Sequence, residues 1–263
     1  MPRLGKAAHN LFFRFAPRTC VVDLFPKIRV PLDFSDAIQR ATFWSGHQYE
    51  APTGDLLKTW ADNGATYFFD MGANFGFFSL LMKDHSPSLQ VFSFEPNPAL
   101  HQKLINIISD NRLSAMQAVH CGLSNTEAIQ TLHLGIEDSG HTTFGDHPGL
   151  KSSETIEVTV TPFDIWREKA GIPLPTDGKW IAKIDVEGFE FAVLQGMEKS
   201  LRARAFAGLV VEINDFTLNF CNSSATAVFE FLENCGYRPL AEGDVQSRLP
   251  LTSTANAFFV PRK

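Results

Sequence analysis

The chain has 263 residues, a hydrophobic fraction of 44% and a net charge of −6, values that suit one globular α/β domain with a short extension. The acidic balance argues against a large nucleic-acid surface, which usually needs a basic excess, and no stretch reaches the roughly 18 to 20 apolar residues of a membrane span. The four cysteines form no CxxC pair, as expected of thiols in a reducing compartment, so we predict a cytoplasmic protein.

Residues 1–50 are predicted to form an N-terminal extension, a helix and short strands that could cap a cofactor or substrate. Residues 1–18 carry basic residues and no acid, which favours an amphipathic helix packed on the domain, with a weak peripheral membrane contact or an organelle-targeting segment as the alternatives. Two short β-like runs follow in residues 19–34, and Ser35 or Asp36 is placed to cap a short helix that ends at Arg40.

Residues 51–263 are predicted to form the main domain, in which strand and helix patterns alternate. Apolar runs predict strands at 66–70, 89–95, 115–120, 179–185 and 207–213, and helical patterns occupy 52–62, 75–84, 98–109, 188–195 and 224–235. This alternation implies a mostly parallel sheet covered on both faces. Ala128–Leu134 and Thr155–Val160 are predicted as further strands, and Gly236–Leu240 should pair with Ala257–Val260 as an antiparallel C-terminal hairpin.

The glycine loop that follows the first of these strands is the most informative motif. The strand ends in Asp70, and a tight turn with Gly72, Asn74 and Gly76 opens the next helix. Glycine adopts positive φ at little cost and lets a ligand approach the main chain, while the helix start presents unpaired N–H groups. Because the Gly-x-Gly-x-x-Gly of dinucleotide binders is absent, the loop indicates an adenosine compound without a diphosphate. A tight turn without a ligand is the alternative.

Glu95 ends the next strand, nineteen positions beyond Gly76. Rossmann-like folds place a ribose-binding carboxylate near this offset. A carboxylate at the carboxyl edge of a sheet can accept both ribose hydroxyls, so Glu95 is predicted to hold a ribose. The alternative is a cap on the helix that follows Pro96 and Pro98.

The segment Lys183–Glu190 follows another apolar strand. Asp185 and Glu187 therefore share a rim with the acids of two other strands, where carboxylates repel unless a ligand, a metal or Lys183 compensates. A cationic sulfonium cofactor suits such a rim, and Asp185 is placed to act as a general base toward a substrate hydroxyl. Two carboxylates at i, i+2 do not define a metal site, so no metal is predicted. Helix capping by Asp185 and a structural Glu187 form the alternative.

Two further groups have open interpretations. Glu212, near the end of the next strand, either lines the substrate side of the cleft or pairs with Lys183. His141 and His147 lie in the polar loop 135–148, where solvated loop histidines are favoured over a lid that reaches across the cleft.

Four segments together resemble the FkbM family of S-adenosylmethionine-dependent methyltransferases. They are Gly46-His47-Gln48-Tyr49-Glu50, the loop from Phe69 to Gly76, Phe94-Glu95-Pro96-Asn97-Pro98, and Lys183–Glu190 with Leu194 and Gly196. The resemblance covers roughly residues 45–260 and implies a Rossmann-like, seven-stranded class I methyltransferase sheet. It also implies O-methylation, with S-adenosyl-L-methionine as cofactor, of a hydroxyl on a sugar, glycan or small natural-product-type molecule. Pro162-Phe163 departs from the Thr-Leu usually found before Asp164.

The resemblance is carried over position by position. The predicted cofactor-binding residues are Asp70, Gly72, Asn74, Gly76, Glu95, Tyr49 and Glu50, and the predicted catalytic residues are Asp185, Glu187 and Lys183. The glycine loop would surround the methionine part of the cofactor, Glu95 would hold the ribose, and Asp185 would lie near the transferred methyl group.

Three other functions fit parts of the sequence. A non-catalytic scaffold would keep the fold without the chemistry, although the intact glycine loop speaks against it. A nicotinamide oxidoreductase would need the dinucleotide motif that is absent. A methyltransferase acting on protein or RNA is the third alternative; the acidic charge disfavours RNA, and Lys183-Ile184-Asp185 is not followed by an amide-methylating Asn-Pro-Pro-Tyr motif.

Overall fold

A computed structural model describes residues 12–13, 15–135, 138–145, 154–176, 178–240 and 255–262 of the chain. The strands in these ranges are β1 (Thr19–Phe25), β2 (Ile28–Asp33), β3 (Tyr67–Met71), β4 (Gln90–Phe94), β5 (Met116–Val119), β6 (Gly122–Leu123), β7 (Ala128–His133), β8 (Thr155–Thr161), β9 (Trp180–Ile184), β10 (Phe206–Ile213), β11 (Tyr237–Pro239) and β12 (Ala255–Pro261). The helices are α1 (Ala37–Ser45), α2 (Ala51–Asp62), α3 (Phe77–His85), α4 (Pro98–Asp110), α5 (Phe163–Lys169), α6 (Glu190–Gly196), α7 (Glu198–Arg202), α8 (Asp215–Phe220) and α9 (Ala225–Asn234). Two 3-10 turns occupy Gly46–Gln48 and Ser139–His141.

Seven strands form the main sheet, in the order β11-β12-β10-β9-β3-β4-β5. The five strands from β10 to β5 run parallel, whereas β12 lies antiparallel between β10 and β11. β9 is buried along its whole length, as expected of a parallel strand covered on both faces. The protein therefore has an α/β fold with a mixed sheet, and the predicted antiparallel C-terminal hairpin is confirmed.

Successive residues of the central strands alternate between two hydrophobic cores, one on each face of the sheet. Phe69 and Trp180 pack together on one face, with ring centroids 5.3 Å apart. Phe68 and Ile181, one residue along in each strand, belong to the core under α2–α4 on the opposite face. The period of two that governs strand side chains thus decides which face each polar residue at the strand ends will meet.

The segment between β5 and β9 forms a separate three-stranded sheet, in the order β6-β8-β7. The strands predicted at Ala128–Leu134 and Thr155–Val160 are confirmed as β7 and β8, which pair antiparallel. β6 is two residues long and pairs parallel with β8. No local sequence pattern predicts this pairing. This small sheet carries the loop that reaches over the edge of the main sheet.

The N-terminal hairpin of β1 and β2 shares one core with the main sheet. Phe25, Val30 and Leu32 are buried in the same cluster as Phe68 and Leu80. The hairpin is therefore held by the same apolar contacts that hold α3 on the sheet. The division of the chain at residue 50 stays a prediction.

The helix that Asp36 caps is longer than predicted. The Asp36 carboxylate accepts a hydrogen bond from Gln39 N at 2.8 Å, as expected of an N-cap, but α1 continues to Ser45 rather than ending at Arg40. Most of the helix predicted for residues 1–18 lies outside the described residues. Within the described part, the Phe12 ring stacks on Phe43 of α1 with centroids 5.7 Å apart.

The carboxyl ends of the parallel strands meet at one edge of the main sheet. Asp70 lies in β3, Glu95 directly follows β4, Asp185 directly follows β9, and Glu212 is the next-to-last residue of β10. Since α/β sheets bind ligands at this edge, the fold places the predicted acids where a ligand can reach them. None of the helices within the described ranges is long and apolar enough to cross a membrane.

Candidate active site

A cavity of about 640 Å³ lies at this edge of the sheet, within the range of about 300–1,000 Å³ that is typical of ligand sites. Nine of the ten predicted site residues line it: Tyr49, Glu50, Asp70, Gly72, Asn74, Glu95, Lys183, Asp185 and Glu187. The tenth, Gly76, is not among the lining residues. Gly76 is the N-cap of α3 and has a φ of 93°. A Cβ at this position would lie 2.3 Å from Leu104 Cδ2.

Asp70 holds α3 against the end of β3. Its Oδ2 accepts hydrogen bonds from Ser79 N at 3.0 Å and from Ser79 Oγ at 2.6 Å. Burial raises the pKa of Asp70, while the nearby Lys183 and the bonds from Ser79 oppose that rise. Sequence reasoning missed Ser79; the only local signal is a serine in the first turn of the helix after the loop.

Gly72 joins the two sides of the cavity through backbone contact. Its φ is 83°, and a Cβ at this position would lie 1.9 Å from the backbone oxygen of Asp185. The N–H of Gly72 also donates to Phe94 O at 3.1 Å. Packing against Asp185 therefore requires a glycine at this position, and the predicted approach of a ligand to the main chain of Gly72, which lines the cavity, stays a prediction.

Glu95 is fixed by backbone donors on both of its oxygens. Oε2 accepts from Asn74 N and Oε1 accepts from Asn97 N, both at 2.8 Å. Only 5% of Glu95 is exposed, and burial raises its pKa to about 8 despite these two bonds. A carboxylate has about four acceptor sites, so the two that the backbone leaves can accept two further donors from the cavity.

The side chain of Asn74 connects the glycine loop to two other segments. Its Nδ2 donates to Ser139 Oγ at 2.9 Å, and Ser139 N donates to Asp36 Oδ2 at 2.8 Å. Ser139 therefore connects the loop after β7 to the glycine loop. Through Asp36, the N-cap of α1, it also connects α1 to the glycine loop. His141 of this loop lines the cavity, whereas His147 lies outside the described residues, so the histidine assignment stays a prediction.

Lys183 pairs with Asp185. Its Nζ donates to Asp185 Oδ2 and lies 4.8 Å from the centroid of the Phe78 ring. Burial opposes the charge of Lys183, but Asp185, Glu50 and Asp70 raise its pKa. Of the interpretations of Glu212, the structure therefore favours a position lining the cavity, since Lys183 is engaged by Asp185.

Three carboxylates form an acidic cluster, defined here as Asp185, Glu187 and Glu212. One oxygen from each lies within 4.8 Å of an oxygen from each of the others. Burial, then the charge of Asp185, raises the pKa values of Glu187 and Glu212 well above their usual range. Glu212 Oε2 is buried and has no hydrogen-bond partner among the described residues, although unpaired buried carboxylate oxygens are costly.

The turn that carries Glu187 is built by Glu190. Glu190 Oε1 accepts from Val186 N at 3.0 Å and from Gly188 N at 3.2 Å, and burial raises the pKa of Glu190 to about 7. Glu187 itself has a left-handed φ of 52°, a conformation that is unfavourable for a residue with a Cβ. The backbone therefore holds Glu187 at the cavity wall against its own preference.

Tyr49 and Glu50 close the acidic side of the cavity from the N-terminal half of the chain. The Tyr49 ring packs on Phe77 with centroids 5.1 Å apart, and Glu50 Oε2 accepts from Asn256 Nδ2 at 3.0 Å. Burial and then the neighbouring Glu50 raise the pKa of the Tyr49 hydroxyl. The predicted contact of these residues with a cofactor stays a prediction.

Phe144, Phe216 and Phe220, which the sequence analysis did not select, are among the aromatic residues that line the cavity. Phe216 is 58% exposed and packs edge-on against Phe220, with ring centroids 5.0 Å apart. The cavity thus combines a backbone-lined end at Glu95, an acidic end at Asp185 and an aromatic wall.

Comparison with known proteins supports the resemblance. The model of the methyltransferase FkbM domain matches residues 70–239, well over half of the chain. Methyltransferase sdnD of Sordaria araneosa is 28% identical over 157 residues, which cover 51% of this chain and 61% of that protein. Hexuronic acid methyltransferase AglP of Haloferax volcanii is 28% identical over 146 residues, which cover 56% of this chain and 55% of that protein.

These matches span little more than half of the length of each curated relative. Among solved structures, M. jannaschii TYW2 in complex with AdoMet aligns with 94% of this chain and 88% of that chain, at 11% identity and a TM-score of 0.46. That likeness is too remote to support an assignment. The match of the domain model to residues 70–239 carries the conclusion: the chain belongs to the FkbM methyltransferase family.

Proposed function

We propose that the protein is an S-adenosylmethionine-dependent O-methyltransferase that modifies a hydroxyl on a sugar, glycan or small natural-product-type molecule. The observation that carries this proposal is the single cavity that joins Glu95 and the glycine loop to Asp185 and the acidic cluster. A cofactor at the first end and an acceptor at the second would meet inside one enclosure. Such proximity is the main contribution a protein can make when the leaving group is already activated.

The end of the cavity near Glu95 suits an adenosine-type ligand. The two carboxylate oxygens of Glu95 accept hydrogen bonds from Asn74 N and Asn97 N. Both oxygens can still accept a further hydrogen bond from the cavity, as binding of a ribose diol requires. The parallel order of β10 to β5 with an antiparallel β12 also supports the Rossmann-like methyltransferase sheet that the resemblance implies. The absence of a Gly-x-Gly-x-x-Gly motif disfavours a dinucleotide in the same place.

The acidic end suits the chemistry of methyl transfer. In the proposed step an acceptor oxygen attacks the methyl carbon in line, an O–CH₃ bond forms, the S–CH₃ bond breaks, and the sulfonium becomes a neutral thioether. The acceptor proton passes to Asp185, which Lys183 holds in position, and then to water. Negative charge near the sulfonium favours binding of the cationic cofactor over its neutral product.

Two observations support a ring-bearing acceptor. Phe144, Phe216 and Phe220 line the cavity, and aromatic lining residues bind the apolar side of a ring while a few polar groups orient it. One relative is named as a hexuronic acid methyltransferase, which supports a sugar hydroxyl among the acceptor classes.

The test combines cofactor binding with methyl transfer. The purified chain should bind S-adenosylhomocysteine in a calorimetric titration and transfer labelled methyl groups from S-adenosylmethionine into an extract fraction of glycans or small molecules. Asp185→Asn should lower the transfer rate about 100-fold or more while the affinity for the neutral S-adenosylhomocysteine changes little, and Glu157→Gln, on an exposed position of β8, serves as the control.

Each alternative has its own outcome. Full transfer activity in Asp185→Asn would remove the proposed base. Binding of S-adenosylhomocysteine without transfer to any fraction would favour the scaffold, label in protein or RNA would move the acceptor class, and absence of binding would overturn the proposal.

A further inference from the structure

The acidic cluster has the geometry of a site for one ion. Asp185 follows β9, and Glu212 is the next-to-last residue of the neighbouring β10, where Val211 pairs with Ile184. The two carboxylates therefore lie side by side at the sheet edge, with Glu187 beside them. Their oxygens lie within 4.8 Å of one another. Two oxygens on opposite sides of a hard divalent ion that binds each at about 2.0–2.6 Å, the range from Mg²⁺ to Ca²⁺, are separated by about 4.0–5.2 Å. A single cation therefore fits between the three carboxylates.

A second observation points to a ligand rather than to a self-sufficient cluster. Glu212 is only 8% exposed and lines the cavity, yet its Oε2 lacks a hydrogen-bond partner within the described part of the chain. Burying a carboxylate oxygen without a donor or a cation costs free energy. The amine of Lys183, which lies in the same region, donates to Asp185 instead. Glu212 thus brings to the acidic cluster a buried carboxylate that has one oxygen without a hydrogen-bond partner among the described residues.

The charge of the cluster fits a divalent rather than a monovalent partner. When ionised, the three carboxylates and Lys183 together carry two negative charges. Glu190 adds another carboxylate next to the cluster; it is 1% exposed, and its Oε2 also lacks a partner within the described ranges. A singly charged sulfonium would leave this charge incompletely balanced.

We propose that Asp185, Glu187 and Glu212 bind one divalent cation of the hard, oxygen-preferring class to which Mg²⁺ and Mn²⁺ belong. All-carboxylate ligand sets favour these ions over zinc or copper. Three protein ligands leave coordination positions open toward the cavity. Given the proposed methyl transfer, those positions would receive an oxygen of the acceptor and favour its deprotonated form.

The test measures the metal alone, with no cofactor or acceptor present. The full chain is stripped with EDTA, exchanged into metal-free buffer at pH 8 and titrated with Mn²⁺, with the free ion followed by electron paramagnetic resonance. One saturable site per chain is expected, and Mg²⁺ should compete for it. Glu212→Gln should lower the Mn²⁺ affinity about tenfold or more, whereas Glu157→Gln, a carboxylate on the small sheet, should leave it unchanged.

Absence of saturable Mn²⁺ and Mg²⁺ binding to the native chain would overturn the proposal, as would equal Mn²⁺ affinity in Glu212→Gln. Thermal unfolding in EDTA checks that the variant folds, and Glu187→Gln provides a second variant with the same expected loss. Binding of S-adenosylhomocysteine in EDTA separates this proposal from the methyltransferase itself: if that binding persists while Mn²⁺ does not bind, only the cation site fails. If the carboxylates serve the sulfonium directly, Glu212→Gln will weaken S-adenosylmethionine more than S-adenosylhomocysteine, without any metal site.

Discussion

The two ends of the cavity differ in how the protein satisfies their polar atoms. At the end near the glycine loop, Glu95 receives backbone N–H groups on both oxygens, Asp70 receives Ser79, and the Asn74 amide bonds to Ser139. At the acidic end, Glu212 and Glu190 each keep a buried oxygen without a partner among the described residues. At the first end these polar groups all have hydrogen-bond partners within the protein before any ligand binds, whereas at the second end two buried oxygens have none among the described residues.

Backbone conformation shows the same contrast. Asn74 and Glu187 both have left-handed φ values, 54° and 52°, but asparagine tolerates this region and glutamate does not. Strained residues and unsatisfied buried groups tend to gather where a protein handles its substrate. We therefore propose that the Glu95 end positions its ligand through backbone-held groups and that the acidic end carries the chemical step of methyl transfer.

The largest expected effect concerns the backbone contact between Gly72 and Asp185, which joins the two ends of the cavity. Gly72→Ala would place a Cβ 1.9 Å from Asp185 O at a φ of 83°. Strain and overpacking together should lower the free energy of unfolding by about 2–5 kcal/mol, measured by urea denaturation. Gly64→Ala is the matched control, because its φ is 95° but a Cβ there meets no atom of the described residues within 4 Å.

Gly64→Ala should cost only the conformational part, about 1–2 kcal/mol. Equal losses in the two variants would show that the backbone at Asp185 moves aside freely. The contact between Gly72 and Asp185 would then not hold the two ends of the cavity rigidly together.

The second prediction concerns pH and the Glu95 end. Burial raises the pKa of Glu95 to about 8, and a diol needs the ionised form as acceptor. Affinity for S-adenosylhomocysteine should therefore increase about tenfold per pH unit as pH rises from 6 toward 8, and then level off. Titration calorimetry in buffers of different ionisation enthalpy should detect release of about one proton on binding at pH 6.5.

The stability of the ligand-free protein should change in the opposite direction. A carboxyl group whose folded pKa lies above its unfolded value of 4.5 contributes stability that is complete below that value and is lost as pH rises through about 8. Glu187 and Glu212 contribute with the same sign, since burial raises their pKa values too. Glu95→Gln should flatten the pH profile of binding but leave most of the stability slope. A steep binding profile in that variant would assign the proton to another group.

The edge of the main sheet could be predicted from sequence because each acid follows an apolar run. Asp70 is the next-to-last residue of β3, and Glu95 and Asp185 directly follow their strands. Parallel strands bring their carboxyl ends together whatever their order. The location of the cavity therefore needed no tertiary information. The C-terminal hairpin was predictable for a similar reason, since an apolar run near the chain end follows a turn signal at Gly236.

The pairing of groups within the site could not be predicted. Whether Lys183 meets Asp185 or Glu212 depends on the register of β9 against β10 and on side-chain direction, not on spacing along the chain. Ser79 binds Asp70 only because α3 folds back on β3. The two-residue β6 pairs with β8 across a segment with no periodic pattern of its own, and such short parallel contacts are set by tertiary packing.

The smallest expected effect tests the contrast between the two left-handed residues directly. Glu187→Gly removes an unfavourable backbone conformation and a half-buried carboxylate, so the free energy of unfolding at pH 8 should rise by about 1 kcal/mol. Asn74→Gly relieves the same φ but deletes the bonds from Asn74 Nδ2 to Ser139 and from Phe75 N to Asn74 Oδ1. That variant should lose about 1 kcal/mol.

The changes in the free energy of unfolding should have opposite signs in the two variants, measured by urea denaturation under the same conditions. That result would show that Asn74 stabilises the fold in its left-handed conformation, whereas Glu187 destabilises it. The gain in Glu187→Gly should be accompanied by loss of methyl transfer, as expected where strain is retained for function. If Glu187→Gly is destabilising like Asn74→Gly, the glutamate contributes to the fold through contacts that outweigh its strain. The acidic end would then be as complete as the Glu95 end, and the difference between them would lie only in charge.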